Sequence, residues 1–450
     1  MRAIGRILHL NSHKAETSYS MVNTKKKIEN GKHKGKVVFV SDILWLERDY
    51  HRYGADYFDE KGYMVECITV WDYYDKITML VPSWGECKGN NILEKNSEEF
   101  RIYLLDNTEA VYIFINDSYL KYKYEIFQYD IKYIVIGNMG LLCSRERDEK
   151  QSILSELYRY VYYFSYGHIA VNMKSFIHIF FRKLKLSKTD NLTNEGQERN
   201  NISEQIKKPI AIIESTDVAD IYLNDQIVDN NIVYVHSYDY DRFLENEREK
   251  ITATEECIVF IEAGVLGESL SHSLCNISNE VDINKWERQC TIFFDLLEKK
   301  YNVPVVIAGH PHNKYYNRCF ANRYIYLGVT EKLIPRAKLV ITQTSTAISQ
   351  ILLYNKKFIF LENSDIRRFL RSYDYDMFSM YTYFIKILGC KVLNLDKIRI
   401  KKINIDNYIT VVGEVARDRY INMYVKMRGT LDKMTYEIME DIVNDMQIVE

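Results

Sequence analysis

Tyr301-Asn-Val-Pro-Val-Val-Ile-Ala-Gly-His310-Pro-His, then Tyr324-Ile-Tyr-Leu-Gly328, then Lys338-Leu-Val-Ile-Thr342-Gln-Thr-Ser-Thr346-Ala-Ile-Ser-Gln-Ile-Leu-Leu-Tyr354, then Lys357-Phe-Ile-Phe-Leu361 is the stretch that decides the fold. Val305–Ala308, Leu339–Thr342 and Phe358–Leu361 are short apolar runs, each stopping at polar or turn residues. Strands buried on both faces of a parallel sheet read this way, and the helical spacing of Ala347–Tyr354 supplies a crossover between two of them. In open α/β sheets ligands bind at the carboxyl ends of the strands. His310 falls at one such end, with Pro311 fixing the turn. Gln343, Thr344, Ser345 and Thr346 follow the next strand and open a helix, where hydroxyls cap free N–H groups and anions are favoured. Taken singly, each feature is a turn or a cap. Together, on strand ends of one sheet, they point to a phosphate-bearing ligand.

Working outward, the same alternation recurs upstream. Val37–Val40 and Val65–Val70 read as strands around a helix that runs to Lys61 and stops at Gly62, a βαβ unit. Further strands are expected at Ala110–Ile115, Tyr133–Ile136, Ile210–Ile213, Ile232–Val235, Cys257–Ile261 and 391–395, with a close backbone approach or turn at Gly137. Trp286–Lys300 reads as an amphipathic helix, Ile366–Leu388 as helical, and Tyr420–Ile448 as one amphipathic helical segment. His236–Leu244 and the charged run after it read as a hinge. The domains expected are an extension over 1–35, a first lobe over 36–250 with a flexible insertion at 187–208, a second lobe over 251–400, and a helical segment over 401–450 that packs back on the first lobe. The fold class expected is α/β, with two Rossmann-like lobes facing a cleft.

Composition sets the outer limits. At 450 residues the chain exceeds one ordinary core. With 60 basic against 62 acidic side chains and a net charge of −2 it carries no field that invites nucleic acid. The eight cysteines include no C-x-x-C pair, so neither zinc nor redox chemistry is indicated. The apolar run at the N-terminus is too short for a signal peptide, and no uncharged run of 18 apolar residues exists. A cytoplasmic protein is expected. The helical stretch 151–184 ends in apolar bulk beside Arg182, Lys183 and Lys185. That combination reads either as peripheral contact with the inner face of the cell membrane or as a core helix with a snorkelling basic end.

The polar stretch after the first strand holds Asp42, Glu47, Asp49 and His51, placed where a side chain takes a proton from an attacking hydroxyl. The plainer reading makes the acids a helix start. Asp239-Tyr-Asp241 with His236, and Asp374-Tyr-Asp376, have metal-ligand spacing, but both sit in tyrosine-rich polar stretches that read as solvated turns. The metal-independent reading is kept.

The two-lobed pattern, Glu262-Ala-Gly264, His310-Pro311 and Gln343–Thr346 resemble the GT-B glycosyltransferases. The closer likeness is to bacterial surface-polysaccharide enzymes of the sialyltransferase-like and Kdo-transferase-like kind, which use CMP-activated sugars. Glu47–Gly54 is similar to their first-lobe loop, and His236–Leu244 to their inter-lobe segment. The resemblance implies that His310 and the Thr344, Ser345 and Thr346 hydroxyls hold the donor phosphate. It implies a general base among Glu262, Asp42, Glu47 and Asp49, with His51 and Arg52 as acceptor-lobe candidates. The sequence departs from the family at Ala263, where a second carboxylate is usual. The partners implied are a nucleotide-sugar and a glycan or lipid-linked glycan acceptor, with no cofactor beyond the donor itself. Two rivals share the architecture: a CDP-glycerol-type polyol-phosphate transferase or sugar-nucleotide epimerase, and a non-catalytic sugar-nucleotide or glycan-binding protein.

Overall fold

The computed structural model describes residues 33–42, 45, 47–70, 91–115, 119, 121–137, 208–216, 231–251, 256–262, 281–310, 319–343, 345–373 and 382–448. Most of the N-terminal extension, the 151–184 stretch with Arg182, Lys183 and Lys185, nearly all of the 187–208 insertion, Ala263, Gly264, Pro311, Thr344 and Asp374–Asp376 lie outside these residues.

The first sheet has seven strands: β1 (Lys36–Ser41), β2 (Met64–Val70), β3 (Ile92–Lys95), β4 (Val111–Ile115), β5 (Lys132–Ile136), β6 (Ala211–Glu214) and β7 (Ile232–Tyr234). Their spatial order is β3-β2-β1-β4-β5-β6-β7, and every pairing is parallel. Helices α1 (Glu47–Arg52), α2 (Ala55–Glu60), α3 (Ser97–Asp106) and α4 (Lys123–Gln128) accompany them, and α5 (Tyr238–Arg248) follows β7. Alternate strand residues enter different layers. Val37, Phe39, Ile113, Ile134 and Ile213 pack in one core. Val38, Val40, Tyr112, Phe114 and Val135 pack in another with Phe100 and Leu104 of α3. Burial on both faces is why these strands read as unbroken apolar runs rather than alternating ones.

The second sheet contains β8 (Cys257–Ile261), β9 (Val305–Gly309), β10 (Ile325–Leu327), β11 (Ala337–Thr342), β12 (Phe358–Glu362) and β13 (Val392–Asn394), ordered β10-β9-β8-β11-β12-β13 and again parallel. Its helices are α6 (Ile283–Tyr301), the one-turn α7 (Thr330–Leu333), α8 (Ile348–Leu353) and α9 (Ser364–Tyr373). The apolar stripe of α6 (Trp286, Phe293, Phe294 and Leu297) closes the core over Phe260, Ile307 and Ile341. In both sheets the first three strands are laid down in one direction and the later strands in the other. The chain is therefore an α/β protein with two Rossmann-like lobes.

Helices α10 (Glu414–Tyr424) and α11 (Thr435–Ile448) end the described chain. Ile438, Met439 and Val443 of α11 join the first-lobe core beside Val37 and Phe39. Tyr57 Oη donates to Glu440 at 2.7 Å and Tyr63 Oη to Asn444 at 2.6 Å.

Several boundaries differ from the sequence expectation. The single helix expected before Gly62 is two, broken at Gly54 with φ 80. The side chain of Tyr436 from α11 packs against Gly54 so closely that a methyl group there would overlap it. The segment 420–448 is likewise two helices. The hinge expected at His236–Leu244 is the start of a regular helix, α5, whose first turn carries Asp239 and Asp241. Strand β3 was not anticipated: its four residues are only partly buried and lack the apolar run of an inner strand.

Candidate functional site

The sheet order fixes where a ligand can sit. In the second sheet the chain reverses direction between β8 and β11, so the crevice lies at the carboxyl ends of those two strands. Glu262 directly follows β8, Gln343 follows β11, and His310 follows β9 on the other side of β8. Three of the sequence-derived positions therefore stand on three neighbouring strand ends, β9-β8-β11, around the reversal point.

The groups differ in exposure. Glu262 is buried, 1% exposed, and its N–H donates to the carbonyl of Ala308 at 3.0 Å, tying the end of β8 to β9. Burial, with the Glu262 carboxylate adding to it, pushes the Cys290 thiol of α6 well up. Gln343 is also buried, whereas His310 and Ser345 are half-buried and Thr346 is exposed. Ser345 Oγ accepts the Ala347 N–H at 3.2 Å, and the Ser345 and Thr346 carbonyls accept from Ile348 and Ser349 at 3.3 and 3.1 Å. The hydroxyl thus winds the first turn of α8 as a cap, and its own hydrogen is not used in that bond.

In the first sheet the reversal lies between β1 and β4. Ser41 at the end of β1 is buried, and half-buried Asp42 comes next. Glu47 and Asp49 lie in the first turn of α1, Asp49 with 9% exposure. His51 Nδ1 lies 2.5 Å from Asp56 Oδ2, and this bond is the main cause holding its pKa above the usual imidazole value. The Arg52 guanidinium sits 4.4 Å over the Tyr238 ring of α5. His51 and Arg52 are thus engaged in different directions, one with α2 and one with α5.

The Asp239-Tyr-Asp241 spacing has a structural answer. On a helix, residues two apart point to different sides. Asp241 turns to α11, accepting from Thr435 N at 2.9 Å and Thr435 Oγ1 at 2.8 Å, with His236 Nε2 at 3.8 Å. It caps that helix, and burial pushes its carboxyl up to about 6 against the opposing effect of His236 and Thr435. Half-buried Asp239 accepts from Gln350 Nε2 of α8 at its backbone carbonyl, and desolvation raises its carboxyl to about 6 against the pull of Arg52. The two carboxylates do not converge. Among the described residues no group of three or more His, Cys, Asp or Glu side chains is arranged to hold a metal ion.

Two features escaped the sequence. Ser349 Oγ lies 3.3 Å from Tyr420 Oη of α10, both buried; nothing in the spacing of Ser349 and Tyr420 signals that they meet. Glu214, 1% exposed at the end of β6, places its carboxylate against Gly137 at the end of β5, where any side chain would overlap it. The close approach expected at Gly137 is there; the partner could not be read.

Among the described residues no helix is long and apolar enough to cross a membrane. No family model matches the chain, and no curated protein sequence matches it. Solved structures align with it at low identity. A variant of the wall teichoic acid polymerase TagF is 12% identical, with a TM-score of 0.45 over 92% of this chain and 89% of that one. MurG from Acinetobacter baumannii is 11% identical, with a TM-score of 0.39 over 91% and 99%. UDP-GlcNAc 2-epimerase from Neisseria meningitidis is 11% identical, with a TM-score of 0.40 over 92% and 100%. Likenesses of this size do not identify a reaction; the two Rossmann-like lobes stand on the chain's own strand order.

Proposed function

We propose that the protein is a glycosyltransferase that moves a sugar from a nucleotide-activated donor to a glycan acceptor in cell-surface polysaccharide synthesis. The donor class proposed is a CMP-activated nonulosonic acid or Kdo-like sugar. The observation that carries this reading is the grouping of Glu262, His310 and the Gln343–Thr346 loop on the adjacent strand ends β9-β8-β11 at the reversal point of the second sheet.

In this mechanism the glycosidic bond to the donor phosphate breaks, and negative charge grows on the leaving phosphate. An imidazole from His310 and hydroxyl donors from Ser345 and Thr346 stabilise that charge, with Thr344 and Pro311 proposed beside them as members of the same motifs. A carboxylate from the first lobe takes the proton of the acceptor hydroxyl as it attacks. Asp42 is the proposed base. It is half-buried and directly follows β1 at the reversal point of the first sheet, whereas Glu262 and Asp49 are buried. Glu47 in the same helix turn is the alternative base. No metal or cofactor is invoked.

The test is product analysis with CMP-activated and UDP-activated sugars and an oligosaccharide acceptor, on wild type and Asp42→Asn. Transfer by wild type and a loss in kcat of roughly 10²–10⁴-fold in the variant, with nucleotide affinity unchanged, is the expected result. Transfer of glycerol phosphate from CDP-glycerol run in parallel, epimerised donor, or no turnover with any donor would each replace this reading.

A further inference from the structure

The segment that follows β13 reads Asp396-Lys-Ile-Arg-Ile-Lys-Lys-Ile-Asn-Ile-Asp406. Both of its ends are fastened to α6. Near the start of that helix, Asp396 accepts from Lys285 Nζ at 2.9 Å and from Gln289 Nε2 at 2.7 Å. Near its end, Asp406 accepts from Lys300 Nζ at 2.5 Å. The segment therefore runs along α6, over about 22 Å at 1.5 Å per residue from Lys285 to Lys300. Between the two fastenings Ile398, Ile400 and Ile403 are half-buried against the α6 core, and Ile405 is buried in it.

Turning the isoleucines inward sends the side chains between them out. Lys397, Arg399, Lys401 and Lys402 are all exposed. Among the described residues no ion pair or side-chain hydrogen bond engages any of the four. Positions 397–402 thus hold four cations and no acid, in a chain whose net charge is −2. The acids of α6 do not neutralise them, since Asp295 and Glu298 bind Arg323 and Glu287 accepts from Phe320 N. We propose that this stripe is a contact surface for an anionic lipid bilayer, held by charge at the headgroups without insertion into the acyl layer. The inference does not rest on the donor-phosphate reading.

Three observations favour this partner. An ordinary solvated face mixes charges of both signs; here the acids stand only at the two ends, where they fasten the segment to α6. The four cationic side chains are long and no neighbour orients them, so nothing shapes them for one discrete ligand. A diffuse anionic surface asks only for their charge. Positions 397–403 also hold no aromatic residue, and their isoleucines pack inward. The stripe therefore lacks both the stacking platform that single-stranded nucleic acid uses and an apolar side chain to enter the acyl layer.

The test is co-sedimentation of the full chain with vesicles of phosphatidylcholine alone and of phosphatidylcholine mixed with phosphatidylglycerol, at about 0.1 and 0.5 M salt. Wild type is compared with Lys397→Gln/Arg399→Gln/Lys401→Gln/Lys402→Gln and with the charge-conserving Lys397→Arg/Arg399→Lys/Lys401→Arg/Lys402→Arg. Melting midpoints are measured in parallel. Wild type should bind the mixed vesicles, more weakly at the higher salt, and not the neutral ones. The neutralised variant should bind at least about 100-fold more weakly, each cation contributing about fivefold at such a surface, with its melting midpoint unchanged. The charge-conserving variant should stay within about threefold of wild type. If the neutralised variant fails to fold, Lys397→Gln/Arg399→Gln and Lys401→Gln/Lys402→Gln carry the comparison, each expected to lose at least about tenfold. Failure of wild type to bind mixed vesicles at the lower salt, or binding by the neutralised variant within about twofold, would overturn the proposal. A charge-conserving variant as weak as the neutralised one would mean a shaped site for a discrete ligand, and would overturn it too. So would tighter binding of an oligonucleotide or an anionic oligosaccharide through the same four residues, which would give the stripe to that polyanion.

Discussion

Asp241 shows how the meaning of a spacing depends on the backbone beneath it. In a turn, Asp-x-Asp can gather two carboxylates on one ion; on α5 residues two apart leave on different sides, and that of Asp241 goes to the N-terminus of α11. Asp241 faces His236, Glu245 and Thr435, and its carboxyl sits at about 6. An unfolded aspartate titrates at about 3.9. Since the folded value is the higher one, its contribution to stability is fully present below about pH 4 and is lost as pH rises through about 6. The loss is on the order of 2 kcal/mol. Melting wild type and Asp241→Asn at pH 5.0 and pH 7.5 should show the wild-type advantage shrinking at the higher pH; an advantage constant across that range would contradict the assignment. Gly54 and Gly62 give a second comparison. Both have positive φ, but only Gly54 is pressed by a neighbour, Tyr436. Gly62→Ala should cost about 1 kcal/mol for its left-handed backbone alone. Gly54→Ala should cost clearly more, read from chemical denaturation; equal costs would mean that α11 does not seat on that glycine.

At the scale of elements, the interior strands were legible because burial on both faces leaves an apolar run that polar residues bracket. Cys257–Ile261 was read with its ends correct, and β9, β11 and β12 to within a residue or two. Where a strand is at the sheet edge, as β3 is, half its surface faces solvent and the run disappears. Helices whose partner lies far along the chain were harder still. The break at Gly54 is set by Tyr436, nearly 400 residues away, and α5 packs against α1, α8 and α11, all far along the chain. Short-range pattern holds no record of such contacts. The strand-end positions of His310 and Gln343 were visible; the burial of Glu262 was not, because what covers a residue beyond a strand end follows from the fold and not from composition. The α6 core offers a direct check. Phe294 is fully buried and packs its ring 5.1 Å from Phe260 and 5.7 Å from Phe320. Phe294→Ala should destabilise by about 3–5 kcal/mol in urea titration, and a cost under about 1 kcal/mol would contradict that packing.

At the scale of the molecule, α11 returns to the lobe that β1 begins. Met439 is 1% exposed among first-lobe strand residues, so Met439→Ala should cost about 2–5 kcal/mol although it lies far from that lobe in sequence. Limited proteolysis should then cut first within 36–137; protection of that region in the variant would argue against α11 as part of the first-lobe core. With the chain's end fastened to one lobe and α5 fastened to the other, the carboxyl edges of both sheets are held within a single folded body, and the proposed chemistry depends on the edge of the second. The most direct test is a thermal-shift series with CMP, CDP, UDP and GDP on wild type and His310→Ala. A ligand that binds only the folded state raises the melting midpoint. A rise with a pyrimidine nucleotide, CMP foremost, that is lost in His310→Ala is the result predicted. No rise with any of the four, or a rise that His310→Ala leaves intact, would contradict a donor phosphate bound at the β9-β8-β11 edge.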